Sequence, residues 1–170
     1  GAWRAGRTFT TNGPVLMLTV QDSGPGGEVE ARPGEFLPTR VTWQSHYPVT
    51  RVDILFNGDV VARDSMPSGS TEGVLEADVI APSDGWTDAR LSSTARDSFY
   101  QPMFAHTSPV YVTVGVDSPE RAEAARWFSG SIERSLEWVW TKGKYYNDTR
   151  RREIVDLFRS GQQVYKAMLK

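Results

Sequence analysis

Apolar and polar residues alternate with a period of two in several runs before residue 117 and with helical spacing after it. Val15 to Gln21 alternates and ends in the glycine-rich run Ser23-Gly24-Pro25-Gly26-Gly27. From Leu37 onward, Val41 and Trp43 alternate with Thr42 and Gln44, and Val52, Ile54 and Phe56 alternate with Asp53 and Leu55. This is the pattern of strands with one face in a core. Asn57-Gly58 lies between two β-prone runs. A type I′ turn needs positive φ at both central positions, which this pair tolerates, so Thr50 to Ala62 is predicted as a hairpin. Met66 to Glu72 reads as a polar loop. Val74 to Ile80 is a strand with Leu75, Ala77 and Val79 on one face. Pro82-Ser83-Asp84-Gly85 turns the chain, Trp86 to Ser92 is a strand, and Ser108 to Val116 is the last. Short strands at this spacing, broken by Gly, Pro and Asn, predict a β-sandwich of immunoglobulin-like type.

The period then changes. Ser118-Pro119-Glu120 carries a capping serine and a proline at the first helical position. Ala125, Phe128, Ile132, Leu136 and Val139 repeat along one helical face, and Gly143 ends it. Asn147 or Asp148 caps a second helix, whose face holds Ile154, Leu157, Phe158, Gly161, Tyr165 and Met168. The expected fold is therefore mainly β with an α appendage: a sandwich followed by a C-terminal αα-hairpin. Neither stripe can be buried by its own helix, so the pair must pack on itself, on the sandwich or on a partner. Trp127, Trp138 and Trp140 lie near the first stripe and cannot all face inward with it, so one or two are expected at its margin or against a partner, since exposed aromatic clusters mark interfaces.

The first residues are unusual. Trp3 to Arg7 reads as the last turn of a helix closed by Gly6. Asn12-Gly13-Pro14 is a turn leading into the first long strand. The stretch looks like the exit from one element into another.

Composition removes several classes of function. The chain has 170 residues, a formal net charge of -2 and no cysteine. Disulfides, thiolate metal sites and cysteine catalysis are excluded, and a general nucleic-acid binder is not expected at this charge. No apolar run is long enough to span a bilayer. His46 and His106 are the two histidines, and no HxH, HExxH or DxDxDG spacing occurs, so no metal centre is expected in this chain. There is no G-x-S-x-G elbow for a serine nucleophile. The glycine-rich run lacks the lysine and hydroxyl of a phosphate loop. Arg150-Arg151-Arg152 reads as a solvated first turn.

Several segments occur in a familiar order: GRTFTTNGPVL at 6–16, ILFNGDVV at 54–61, Gly85-Trp86 with Ala89-Arg90, AHTSPVYVTV at 105–114, and paired helices ending in QVYKAML at 163–169. Together they resemble the C-terminal region of CehA/McbA-type metallohydrolases of the PHP superfamily. The resemblance implies that a metal-binding PHP domain precedes such a region, and that divalent metals belong to that domain alone. No metal-ligand motif of that domain maps onto this chain. Residues 1–14 are then expected as a linker from a catalytic domain absent here, 15–116 as the sandwich, and 117–170 as a helical hairpin packed on it. The implied role is a non-catalytic accessory domain. Its expected partners are the PHP domain of the same polypeptide and a second copy of the chain, in an exported or periplasmic bacterial setting. Asn12, Arg90 and His106 belong to the shared motifs and are the candidates for a polar cluster at the domain junction.

Two other readings stay open. A carbohydrate-binding sandwich would use exposed rings, with Trp43, Tyr47, Trp86 and Tyr100 as candidates and Phe99 beside them; Asp84 and Asp88 flank Trp86. A stand-alone hydrolase would join Asp88 and His106 to a serine such as Ser98.

Overall fold

The computed structural model describes residues 1–169 and divides into two compact units, Gly1–Val116 and Asp117–Lys170. The first is built from β1 (Phe9–Thr11), β2 (Val15–Val20), β3 (Glu28–Glu30), β4 (Phe36–Phe56), β5 (Asp59–Ile80), β6 (Gly85–Arg96), β7 (Pro102–Thr107) and β8 (Val110–Thr113). The second is α1 (Glu120–Thr141) and α2 (Asp148–Ala167).

Two long strands organise the sandwich, because β4 and β5 each serve both layers. The first half of β4, Phe36–Gln44, pairs with β2 on one side and with Glu72–Ile80 of β5 on the other. Its second half, Arg51–Phe56, pairs with Asp59–Ser65 of β5 and Thr87–Ser92 of β6. Register breaks between Gln44 and Arg51 let the strand pass from one layer to the next, as bulges and bends do at sandwich corners. The second layer continues through β7, with β1 antiparallel at its edge. Further along, β8 takes over beside β6, and β3 lies parallel to β8. Leu16, Leu18, Val20, Leu37, Val41, Trp43, Val52, Ile54, Val79, Ala89, Leu91 and Ala105 form one core between the layers.

The hairpin at Asn57-Gly58 forms as predicted. Asn57 and Gly58 have φ of 50° and 91°, and Phe56 pairs with Asp59. The Asn57 side chain then accepts from the Trp86 N–H at 3.0 Å, tying the turn to the start of β6.

Three expectations about elements are corrected. Met66 to Glu72 is strand, not loop, because β5 follows β4 through the layer change. Gly69, at φ 74°, lies where a side chain would strike Pro48. Pro102–Thr107 is a strand the pattern hid, since it turns Phe104 and His106 outward and buries Met103, Ala105 and Thr107. The last strand begins at Val110 rather than Ser108; Pro109 has no N–H for a ladder, and its carbonyl accepts from Gly26 N–H at 2.7 Å.

Residues 2–7 form one closed turn. Gly6 N–H donates to Trp3 O at 3.2 Å and Arg7 N–H to Ala2 O at 3.0 Å, with Gly6 at φ 66°, the bonding of a Schellman helix end. The turn lies against Gly26, where an added Cβ would sit 1.8 Å from Ala5 O. Only a glycine permits that backbone approach.

In the second unit, Pro119 rather than Ser118 occupies the first cap position, and no side chain caps it. The Ser118 hydroxyl bonds the Glu120 carboxylate instead, and its carbonyl accepts from Arg121 N–H. Asn147 caps α2 as expected, its side chain accepting from Arg150 N–H at 3.0 Å. Gln162 joins the helices by donating to Ser129 O at 3.2 Å and Glu133 Oε1 at 2.9 Å. Phe128 stacks on Tyr165 with centroids 5.1 Å apart.

Candidate functional site

The feature that departs from simple sandwich patterning lies in β4. Val52 to Phe56 are all buried, including Asp53 and Leu55, which point away from the core. A carboxylate buried on an outer face must be met by partners, since an unpaired buried charge is strongly unfavourable.

Those partners come from three strands. Register places Arg63, Asp53, Arg90, His106 and Thr10 in one row across β5, β4, β6, β7 and β1. Arg63 donates from Nε and Nη2 to the two Asp53 oxygens at 2.7 and 3.2 Å. Arg90 Nε donates to Oδ2 at 3.0 Å. Arg51 Nε lies 3.7 Å from the same oxygen. Burial alone would push the Asp53 carboxyl up, but the hydrogen bonds from Arg63 and Arg90 and the charges of Arg63 and Arg51 outweigh it. The group titrates below its ordinary value near 3.8.

Asp88, two residues before Arg90 on the same face of β6, shows the opposite balance. Its Oδ2 lies 2.5 Å from His106 Nε2. Its Oδ1 is buried and has no hydrogen-bond partner among the described residues. Burial raises this carboxyl above its ordinary value near 3.8, and His106 and Arg90 only partly offset the effect.

Of the three candidate junction residues, Arg90 and His106 are therefore register neighbours that bond different carboxylates. Asn12 stands apart at the end of β1. It donates from Nδ2 to Asp97 Oδ2 and to Pro102 O, both at 3.0 Å, and accepts from Phe104 N–H at 2.7 Å. It locks the turn before β7. Asp97 is held below its ordinary value, chiefly by the backbone N–H of Gln101, with help from Phe99 N–H and Asn12.

The candidate aromatic residues do not form one platform. Trp43 is in the core, its ring lying over the space left by Gly73, so it is not a ligand-facing ring. Trp86 is partly covered at the start of β6, and Tyr100 is 79% exposed in the turn beyond its other end. Tyr47 is half-exposed within β4, where the strand changes layer. Phe99 and Tyr100 remain an exposed adjacent pair. The hydrolase constellation is incomplete: Asp88 and His106 meet, but no described serine hydroxyl is hydrogen-bonded to His106, and Ser98 lies beyond the end of β6.

Asp53, Arg51 and Arg63 escaped the sequence reading. A two-residue turn at Asn57-Gly58 pairs Phe56 with Asp59 and would place Ala62 opposite Asp53. A bulge at Val61 shifts the register by one and brings Arg63 there. The available signal was the lone carboxylate in the run Val52 to Phe56.

The clefts lie elsewhere. One of about 530 Å³ is lined by Phe9, Leu16, Met17, Leu18, Pro25 and Gly26, between the first residues and the glycine-rich loop. Among the described residues, no group of three or more His, Asp or Glu side chains is placed to hold a metal, and no helix is long and apolar enough to cross a membrane.

No family model matches the chain, and no curated protein matches it. Several solved structures show a partial likeness. The CARDB domain of a Pyrococcus furiosus protein is 17% identical over 59% of this chain and 96% of its own, with a TM-score of 0.40. Fibronectin(III)-like modules of Clostridium thermocellum CbhA are 18% identical over 60% of this chain and 100% of theirs, with a TM-score of 0.32. A Jonesia denitrificans lytic polysaccharide monooxygenase is 12% identical, with a TM-score of 0.36; the match covers 51% of this chain and 57% of that one. The strands and helices described above themselves define the class: a mainly β sandwich with two C-terminal helices.

Proposed function

We propose that the chain is a non-catalytic accessory module of a metal-dependent hydrolase of the PHP type, packing against the catalytic domain of the same polypeptide and supporting its site or its assembly. The motif resemblance supplies the hydrolase. The observation that carries the accessory role is the engagement of Arg90 and His106. Both are held by buried carboxylates on a sheet face, away from the 530 Å³ cleft, with no nucleophile bonded to the histidine. A histidine oriented by a carboxylate serves turnover only beside a nucleophile, and no described hydroxyl is hydrogen-bonded to His106. Divalent metals belong, in this reading, to the catalytic domain.

The test is to read the coding sequence on the N-terminal side of this region and to express the module with and without it. Each product is assayed with manganese and with zinc against chromogenic phosphodiester and carbamate ester substrates. The expected result is a histidine-rich metal-binding segment and turnover only in the longer product. Turnover by the isolated module, or a neighbouring sequence without metal motifs, overturns the proposal.

A second reading, a carbohydrate-binding module, draws on the adjacent exposed rings of Phe99 and Tyr100. Titration with soluble glycans, followed by Tyr100→Ala, decides it: no binding removes this reading.

A further inference from the structure

We infer that the outer face of the second layer, centred on Arg51, Arg63 and Arg90, is a docking surface for an acidic polypeptide segment. Resting on the accessory reading, this segment belongs to the catalytic domain of the same polypeptide.

The charge balance is the first argument. Three guanidinium groups surround Asp53, and each is somewhat under half exposed. Arg63 uses two donors on the carboxylate and Arg90 one, while Arg51 stays outside hydrogen-bond distance. A guanidinium carries five N–H donors in a fixed fork that matches a carboxylate. The donors not used on Asp53 belong to side chains that are more than two-fifths exposed, and Arg63 and Arg90 are already held in place by a buried anion. That removes part of the ordering entropy which weakens surface ion pairs.

The second argument is access. Asp88, the other carboxylate on this face, is 3% exposed and its Oδ1 is closed to solvent, so an incoming segment meets the half-exposed guanidinium groups and not this carboxylate.

The third is composition. Phe104 is 43% exposed on this face, and Trp86 and Tyr111, which is half-exposed, are cross-strand neighbours. Arginine with exposed aromatic rings is the make-up of protein–protein hot spots. The face is a broad sheet surface, which accommodates a segment better than a small anion.

The experiment titrates the module with a fluorescein-labelled octapeptide alternating Glu and Leu, following the arginine Nε–Hε signals by NMR. Comparison probes are the matching Lys–Leu peptide, octathymidylate and phosphatidylserine vesicles. The Glu–Leu peptide is expected to shift the signals of Arg51, Arg63 and Arg90 and to bind more tightly than every comparison probe. Arg51→Gln, which removes no side-chain hydrogen bond but one of the charges that offset the burial of Asp53, is expected to weaken binding about 3- to 10-fold with the fold intact and the melting temperature only slightly lowered. Absence of peptide binding, tighter binding of octathymidylate or vesicles, or an unaffected Arg51→Gln variant overturns the inference. The two proposals fail separately. Peptide binding at these arginines beside a gene lacking a hydrolase sinks only the accessory reading. A hydrolase whose association with the module ignores Arg51→Gln sinks only the docking surface.

Discussion

Leu37, Val41, Val52 and Ile54 are wholly buried in the sandwich, whereas Trp127, Trp138, Trp140 and Leu157 in the helical pair are each at least half exposed. The buried residues of the two helices are Ala125, Ser129, Val139, Val155 and Gln162, two of them polar. Two antiparallel helices meet along one seam, and the rest of a wide apolar stripe finds no cover in that geometry. Two sheet layers enclose their inner faces completely. The sandwich is therefore the self-sufficient unit, and the helical pair carries large rings whose burial requires something more.

The largest effect expected from this contrast is in the core. Ile54→Ala should destabilise the sandwich by about 3–4 kcal/mol, from lost burial and the cavity left behind. Urea melts followed by tryptophan fluorescence would measure it, and a loss under about 1 kcal/mol would break the contrast. Gly26→Ala comes next. The new methyl would strike the Ala5 carbonyl at a residue with φ 79°, so a loss of more than about 1 kcal/mol is expected. Trypsin should then cleave faster at Arg4 and Arg7.

The two outer-face carboxylates should respond to pH with opposite signs. Asp53 has a lowered folded value, so its stabilisation is present above about 3.8 and disappears as pH falls through that folded value. Asp53→Asn should be clearly less stable than the parent near neutral pH, with the gap closing in acid. Asp88 has a raised folded value, so its contribution is complete below about 3.8 and is lost as pH rises through the folded value. Asp88→Asn should gain on the parent as pH climbs through that window. Denaturation midpoints from about pH 3 to about pH 7 test both, and gaps that change with pH in the same direction would refute the pairing scheme.

Smaller effects sharpen the helical side. Asn147→Ala should remove about 1 kcal/mol from α2 by deleting its cap, seen as fraying in amide exchange. Trp127→Gln should change stability by less than about 0.5 kcal/mol if its ring is as open as its 61% exposure indicates. A much larger loss would mean that a second copy or another domain covers it in solution.

How legible the molecule was in its sequence varied with the range of the interactions. The Asn57-Gly58 hairpin, the change of class near residue 117 and the Asn147 cap follow from local chemistry, and each was readable. The strand at Pro102–Thr107 was not, because Phe104 and His106 face outward while Thr107 is buried, which inverts the usual polarity. Arg90 and His106 were flagged together with Asn12, as a polar cluster, through motif resemblance. Their anions were harder to find: Asp88 was noticed as a neighbour of Trp86, and Asp53 was passed over as an outward position in a strand.

Trp43 shows the same limit from the other side. The alternation set it on the face shared with Val41 while the carbohydrate reading held it as a candidate binding ring, and in the fold it is core, packed over Gly73 across the ladder. By itself the chain determined the period of each element, the turn that starts the long hairpin and the lack of cysteine chemistry, since these depend on residues within a few positions of one another. The tertiary structure alone decided that β4 and β5 cross between layers, that a bulge at Val61 puts Arg63 opposite Asp53, and that three arginines converge on one buried carboxylate. Such arrangements depend on register between distant strands. A shift of one residue there turns a side chain to the other face, and no local pattern encodes it.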